Sequence, residues 1–326
     1  MSEKLSIKRF ARDFLYRAPV RYIDNRLFNL LFGQVFRIAW IYLSRSFRQL
    51  VPGLGIESDV ARQLERDGIV TIENFLPAEQ FAKLKQLVLE NIEQGDLAYE
   101  YPETRLLHLY KLDLDGFTYL CPEVKALAES PELRRWTAEL NGCTPRIPPQ
   151  LYINQHRRRP GQHYSEGERK EYQETAHADV PYPSIKMILT LTETTEANGA
   201  FRYRRGSNRM SLRRVLGEYL LSLSYHRRQR GGELVPEADP DYFLCEGLEP
   251  VIAKENTLVV FDARGFHARG PLQEGQERRV LFIDPRYTQS PVNSLAGLPL
   301  LGRFFKKFCF EGARTVEGSD LTARYR

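Results

Sequence analysis

Cysteine is scarce in this chain of 326 residues. There are four, Cys121, Cys143, Cys245 and Cys309, and none forms a CxxC or CxxxxC pair. That spacing excludes a zinc knuckle and a dense disulfide framework, and predicts reduced thiols in a cytoplasmic protein. A long hydrophobic run is also missing. The best candidate, LFNLLFGQVFRIAWIYL over residues 27–43, stops at 17 residues and carries Arg37, whereas a spanning helix needs about 20 apolar residues and avoids a central charge. No small-residue cleavage site follows this first apolar run, so no secretory leader is expected. There is no internal repeat, no low-complexity tract and no regular alternation of strand and helix, which excludes solenoids and doubly wound α/β folds. Histidine is rare enough, at six, for each one to be weighed separately.

What is present is the composition of a folded soluble domain: 42% hydrophobic and 27% charged residues exclude disorder and fibre. The net charge of +5 is unevenly spread. Residues 1–52 carry ten Lys and Arg, from Lys4 to Arg48, against Glu3, Asp13 and Asp24, a local +7 that leaves the rest near −2. A basic arm on a neutral body suits an anionic partner: a membrane surface, nucleic acid or an acidic substrate.

Within that arm Asn29, Gly33 and Arg37 recur every four residues as a narrow polar stripe on an apolar helix. Two arrangements follow: an interfacial helix in peripheral contact with membrane, or a helix packed on the body. The sequence Val51 to Gly55, VPGLG, is the expected linker, dividing a helical arm (1–52) from a catalytic domain (53–326). Beyond it, Val60 and Leu64 share a helix face that Gly68 should terminate, and IVTIENF from Ile69 alternates as a strand. Pro77 and Pro131 each sit at a predicted helix start, the first helix placing Phe81, Leu84, Leu87 and Val88 on one side. From Gln150 the character turns to β. QLYINQ, IKMILTL, NTLVVFD and RRVLFID are short, rich in β-branched and aromatic residues, and separated by Gly, Asn and Pro. Helices first and strands afterwards predict an α+β fold, a helical layer on an antiparallel jelly roll. A basic helical insertion from Ser211, SLRRVLGEYLLSLSYHRRQR, is expected over the barrel mouth.

His177-Ala178-Asp179 places an imidazole and a carboxylate at i and i+2, on one side of an extended chain, where they can share an ion. Alone the motif is common. His267, delivered by the strand NTLVVFD, completes a two-histidine, one-carboxylate face, the ligand set that leaves open positions on iron(II). A closed structural zinc site would want four protein ligands, with sulfur common, and no Cys is near. Taken singly, each residue has an ordinary structural reading. So do the other histidines: His108 in LLHLY reads as core, and His156, His163 and His226, among arginines, as surface. Arg278, eleven positions past His267, begins a strand returning toward the candidate ion; its guanidinium suits a carboxylate through two parallel hydrogen bonds. Arg279 is the rival, because a one-residue register change exchanges inward and outward faces.

With these elements in order, HADVPYPSIKMILTLTETTEANGAFRYRRGSNR from His177 and VVFDARGFHARGPLQEGQERRVLF from Val259, the chain resembles the phytanoyl-CoA dioxygenase family. LERDGIVTIENFLPAEQFAKL resembles that family's opening helix, strand and helix, so the resemblance covers about residues 58–290. It implies a double-stranded β-helix of the cupin kind, iron(II), 2-oxoglutarate and O2, with succinate and carbon dioxide as coproducts. Carried across, His177, Asp179 and His267 become iron ligands and Arg278 the cosubstrate anchor, while Asn198-Gly199 is a structural turn. Ala178 stands where the family often has Gln, and Arg269 where it often has a small hydroxyl residue; both positions touch cosubstrate. The carboxylate of Asp179 implies hydroxylation, since halogenating members lack it.

The arm, Arg204, Arg205, Arg209, Arg213 and Arg214 of the insertion, and the tail LPLLGRFFKKFCF from Leu298 together point to a lipidic or acyl substrate with an anionic head. A small polar natural product and a non-catalytic ligand-binding member of the fold are the alternatives. Nucleic acid is not expected as a partner, because the arm's aromatics lie within an apolar helix instead of alternating with cations.

Overall fold

The computed structural model describes residues 25–50, 55–94, 107–112, 126–127, 130–141, 150–157, 176–228 and 247–285. The expected linker from Val51, the tail from Leu298 and His163 lie outside these residues, as do the side chains of His108, His156 and His226. Nine strands are described: β1 Ile69–Ile72, β2 Leu107–Leu112, β3 Gln150–Arg157, β4 Ile185–Thr190, β5 Phe201–Tyr203, β6 Glu249–Pro250, β7 Leu258–Asp262, β8 His267–Arg269 and β9 Glu277–Asp284. They form a six-stranded sheet in the order β1-β7-β4-β9-β3-β2 and a three-stranded sheet β6-β5-β8. All their pairings are antiparallel. Antiparallel sheets with helices make the expected α+β architecture.

Strand alternation sorts the large sheet's side chains into two layers. Val70, Ile185, Met187, Leu189, Leu258, Val260, Leu281 and Ile283 turn to a core shared with helices, through Leu64, Phe81, Leu84, Val88, Leu133, Trp136 and Leu140. Ile69, Ile188, Val259, Phe261 and Val280 turn the other way and meet Phe201 and Tyr203 of the small sheet. Both faces are therefore dry, which is why β7 is buried at every position and reads LVVFD without a polar face.

The helices start and stop where the sequence indicates. α3 (Asp59–Asp67) is capped by the Ser58 hydroxyl, which accepts from the Ala61 amide at 3.2 Å, and ends at Gly68 in the left-handed conformation, φ 79°. α4 (Ala78–Gln94) follows Pro77, and α5 (Pro131–Asn141) begins on its own proline. α6 (Leu212–Arg228) is the predicted insertion helix, and it packs on the arm.

The arm departs from expectation twice. It is two helices, α1 (Arg26–Leu30) and α2 (Gly33–Gln49), broken where Phe32 takes φ 60° and stacks on Tyr219 of α6 at 4.5 Å. Gly33 leaves room at that corner for the Phe28 ring, which a Cβ there would displace. And its polar stripe is not wet. Asn29, Gln34 and Arg37 are buried, Asn29 donating to the Ser222 carbonyl at 3.1 Å and Arg37 to the Tyr182 hydroxyl at 3.3 Å. Two turns on, Arg45 grips Glu65 with both terminal nitrogens, at 3.0 and 2.7 Å. Among the described residues, no helix is long and apolar enough to cross a membrane.

Candidate metal centre

The three residues singled out from the sequence meet in space, and backbone pairing brings them there. His177 and His267 face each other across an antiparallel bridge, exchanging both N–H···O bonds at 2.9 Å. Two residues on, the Asp179 amide donates to the Ala263 carbonyl at 3.0 Å, so the HxD segment lies along the turn that joins β7 to β8. The ring centroids of His177 and His267 are 4.5 Å apart. One ligand atom from each of the three residues lies within 4.8 Å of the others.

Finer geometry favours an ion. Asp179 Oδ1 is 3.8 Å from His177 Nε2 and 3.7 Å from His267 Nε2, too long for hydrogen bonds but close enough for the three donors to share one ion. His267 Nδ1 lies 2.9 Å from the Gly265 carbonyl, which selects the tautomer with the proton on Nδ1 and leaves the Nε2 lone pair facing the other two ligands. Gly265 is obligatory in this turn, because a Cβ would overlap the hydroxyl of Tyr203, which donates to the Asp262 carbonyl at 2.9 Å.

Asp179 has a partner that sequence reasoning did not find. Lys186 Nζ donates to Asp179 Oδ2 at 2.6 Å. The two carboxylate oxygens are thereby divided: Oδ2 is tied by the ammonium, and Oδ1 is left toward the histidines. Burial, the largest single influence, would raise the Asp179 pKa, but Lys186, through its charge and its hydrogen bond, together with His267 and His177 outweighs it and holds the carboxyl well below the ordinary carboxylate range. The available signal was a lysine inside an otherwise apolar strand, IKMILT, at the same parity as Ile188, which faces the inner layer.

His267 sits against Phe261 and Phe201, centroids 5.3 and 5.8 Å away. This burial, and then the neighbouring His177, lower its pKa from 6.5 to about 3, so at neutral pH it is an uncharged donor. In the unfolded chain the imidazole takes up its proton near pH 6.5. The unfolded state therefore binds more protons between the two values, and the contribution present above 6.5 is lost as pH falls toward 3. We expect the Tm of metal-free protein to drop steadily as pH is lowered below about 6.5, with a shallower slope in His267→Gln. Circular dichroism melts across pH check this; equal slopes in the two proteins would remove His267 as the cause.

Parity puts the two candidate arginines on opposite faces of β9. Arg278 is buried and shares a strand face with Val280 and Phe282, in the layer that holds Phe261 and Phe201. Arg279 faces the other way and pairs with Glu277. The Arg278 Nε has no hydrogen-bond partner, and burial followed by the nearby Arg269 charge brings its pKa down to about 9. Arg269 is itself buried, two residues after His267 on β8 and hence on the same side of that strand. Arg278 and Arg269 are thus two buried guanidinium groups whose charges oppose each other, an arrangement that an anion would relieve. Of the insertion arginines, Arg214 is not at an entrance. It is buried, lies with its guanidinium carbon 4.6 Å from the Phe266 ring centroid, and donates to the Ser207 and Arg264 carbonyls. Arg205, Arg209 and Arg213 are exposed. Asn198 and Gly199 form the expected turn, with the Asn198 side chain bonded to the Thr195 amide and the Glu193 carbonyl, and Gly199 at φ 77°.

No protein-family model and no curated protein sequence matches this chain. Solved structures do match. AviO1 from Streptomyces viridochromogenes Tue57 is 18% identical over 69% of this chain and 91% of its own, with a TM-score of 0.46. The epimerase SnoN, solved with Fe3+, alpha ketoglutarate and nogalamycin RO, is 13% identical over 69% and 80%, with a TM-score of 0.45. EctD from S. alaskensis with bound Fe is 17% identical over 72% and 77%, with a TM-score of 0.44. Likenesses this distant carry no argument about this chain, whose reading rests on its own residues.

Proposed function

We propose that this protein is a mononuclear iron(II) oxygenase that consumes 2-oxoglutarate and O2, with its two sheets forming a double-stranded β-helix of the phytanoyl-CoA dioxygenase kind. The observation that carries the reading is the conjunction of a ligand-ready His177, Asp179 and His267 with a buried Arg278, its Nε without a partner, in the same inner layer. A two-histidine, one-carboxylate face suits iron(II) with positions to spare, and a two-arginine pocket suits a dicarboxylate. Iron(II) bound there would supply dioxygen activation, coupling the decarboxylation of 2-oxoglutarate to succinate and carbon dioxide with hydroxylation of a substrate C–H bond.

The chain's own residues have separable tasks in this reading. Arg278 holds the far carboxylate of the cosubstrate, and Arg269 adds charge beside it. Lys186 fixes Asp179 so that one oxygen is offered to the metal, and the Gly265 carbonyl fixes His267. Phe201, Phe261, Val280 and Phe282 keep the inner layer dry, which strengthens every electrostatic contact there. For the substrate we infer a lipidic or acyl molecule with an anionic head, supported by exposed Arg205, Arg209 and Arg213 next to exposed Leu212 and Leu216.

Anaerobic calorimetry with iron(II) and then 2-oxoglutarate, followed by assays of succinate release with lipid extracts in air, tests the proposal. Saturable iron-dependent binding of 2-oxoglutarate and substrate-dependent succinate are expected. Binding without turnover would replace it with the non-catalytic, ligand-binding reading. Arg278→Met should raise the KM for 2-oxoglutarate between about tenfold and a hundredfold, the loss of one charged hydrogen-bonding group, while iron affinity stays unchanged. Arg279→Met should leave both values near wild type; equal effects of the two substitutions would overturn the parity assignment.

A further inference from the structure

The arm turns polar residues inward and leaves large apolar ones outside. Asn29, Gln34, Arg37, Ser44 and Arg45 are buried beside Ile38 and Ile41, while Phe36, Trp40, Leu43, Phe47 and Leu50 are exposed. The contrast is large: Arg37 is 2% exposed, its neighbour Phe36 70% and Leu50 79%. Spaced alternately four and three residues apart, the five apolar side chains form a single stripe along α2. The stripe continues through Leu27, Leu31 and Phe32 at the break between α1 and α2, and exposed Leu212 and Leu216 lie on α6, which packs against both helices. The orientation is fixed from within by the bonds of Asn29 to Ser222, Arg37 to Tyr182 and Arg45 to Glu65. A contiguous apolar surface of this kind marks an interaction site.

We propose that this surface docks on an anionic lipid bilayer, α1 and α2 lying in the plane of the headgroups. Charge complementarity selects the occupant. The stripe helices contain no acidic residue, Arg26, Arg209 and Arg213 are exposed around it, and the preceding sequence adds Lys4, Lys8, Arg9, Arg12, Arg17 and Arg21. Apolar side chains that include Trp and Phe, bordered by cations, are what an interfacial helix presents to anionic lipid. A second copy of the chain would bring two arms of the same strong positive charge together. The seam also runs for only two heptads, short of the three or four over which coiled coils are sustained.

The inference is independent of the metal chemistry, and its test reads neither iron nor turnover. Full-length protein is floated with phosphatidylcholine vesicles containing phosphatidylglycerol, and in parallel with phosphatidylcholine alone. Phe36→Ser/Phe47→Ser, two changes at exposed positions, is run beside it, with an unchanged Tm as the control for folding. The wild type should float with the anionic vesicles and stay down with the neutral ones, and the double variant should lose at least about tenfold in partitioning. The proposal falls if the wild type stays at the bottom of the gradient or the variant floats equally well. It falls also if the wild type elutes as a dimer that the substitutions dissolve, which would make a second copy the occupant. If flotation appears only after removal of residues 286–326, the chain's own tail covers the stripe instead.

Discussion

Asp179→Ala is expected to abolish substrate-dependent succinate formation, by at least about a thousandfold, with a parallel loss of iron binding measured by calorimetry. The size follows from what the carboxylate does. It is the anionic member of the triad, its Oδ1 lies within 4 Å of both histidine donors, and without it only the two imidazoles remain as donors. A metal's contribution of several kcal/mol to the reaction disappears with the ion, and about 4 kcal/mol is a thousandfold in rate. Removal also leaves the Lys186 ammonium, only 23% exposed, facing the vacated position, so the substitution replaces an attraction for a cation with a repulsion. Asp179→Asn keeps the shape and removes only the charge, and it should lose iron almost as fully. Wild-type turnover in either variant would sink the iron assignment.

The second large effect is on stability. Arg264 and Asp262 are both buried, with Arg264 Nε 2.6 Å from Asp262 Oδ2. The same guanidinium donates to the Tyr42 hydroxyl at 2.9 Å and to Glu65 at 3.2 Å, and Glu65 in turn holds Arg45. Arg264→Met leaves the Asp262 carboxylate in the interior without its countercharge, which typically costs about 3–5 kcal/mol, a large share of the 5–15 kcal/mol that holds an ordinary domain together. Urea unfolding should show a lower midpoint with an unchanged slope. Adding Asp262→Asn removes the stranded charge while keeping an acceptor for the Ser184 and Arg264 amides, so the double variant should recover at least half of the loss. A loss below about 1 kcal/mol for Arg264→Met would show the cluster to be screened like a surface pair.

The parts that were legible in the sequence are those fixed by short-range periodicity. β7 is recognisable because a strand buried on both faces must be apolar throughout, β9 by its apolar centre VLFI, and the HxD pair because extended backbone puts i and i+2 on one side. Spacing from His267 favoured Arg278 over Arg279, but alternation gives two faces and leaves open which is inner, and the register of β9 is what puts Arg278 on the inner one. Lys186 escaped for a longer-range reason: its contact with Asp179 exists because β4 lies between β7 and β9, and no local pattern encodes that neighbour order. The arm shows the same limit. Periodicity separated a polar edge from an apolar one, but the polar edge finds its partners at Tyr182, Ser222 and Glu65, far away in the chain, and these decide which edge turns inward.

Tyr182, three positions after Asp179, packs with Val180 against Ile41 and beneath the Arg37 guanidinium, whose central carbon is 5.2 Å from the ring centroid. α2 therefore packs on the segment that follows the HxD pair in the chain. As a genetic unit, the arm is not a cassette. A splice near residue 52 would divide Arg37 from Tyr182 and Arg45 from Glu65, stranding polar groups on both sides of the cut. Chimaeras that borrow an arm from a relative would have to carry matching residues at positions 65, 182 and 264, and substitutions at those sites and in α2 should be inherited together.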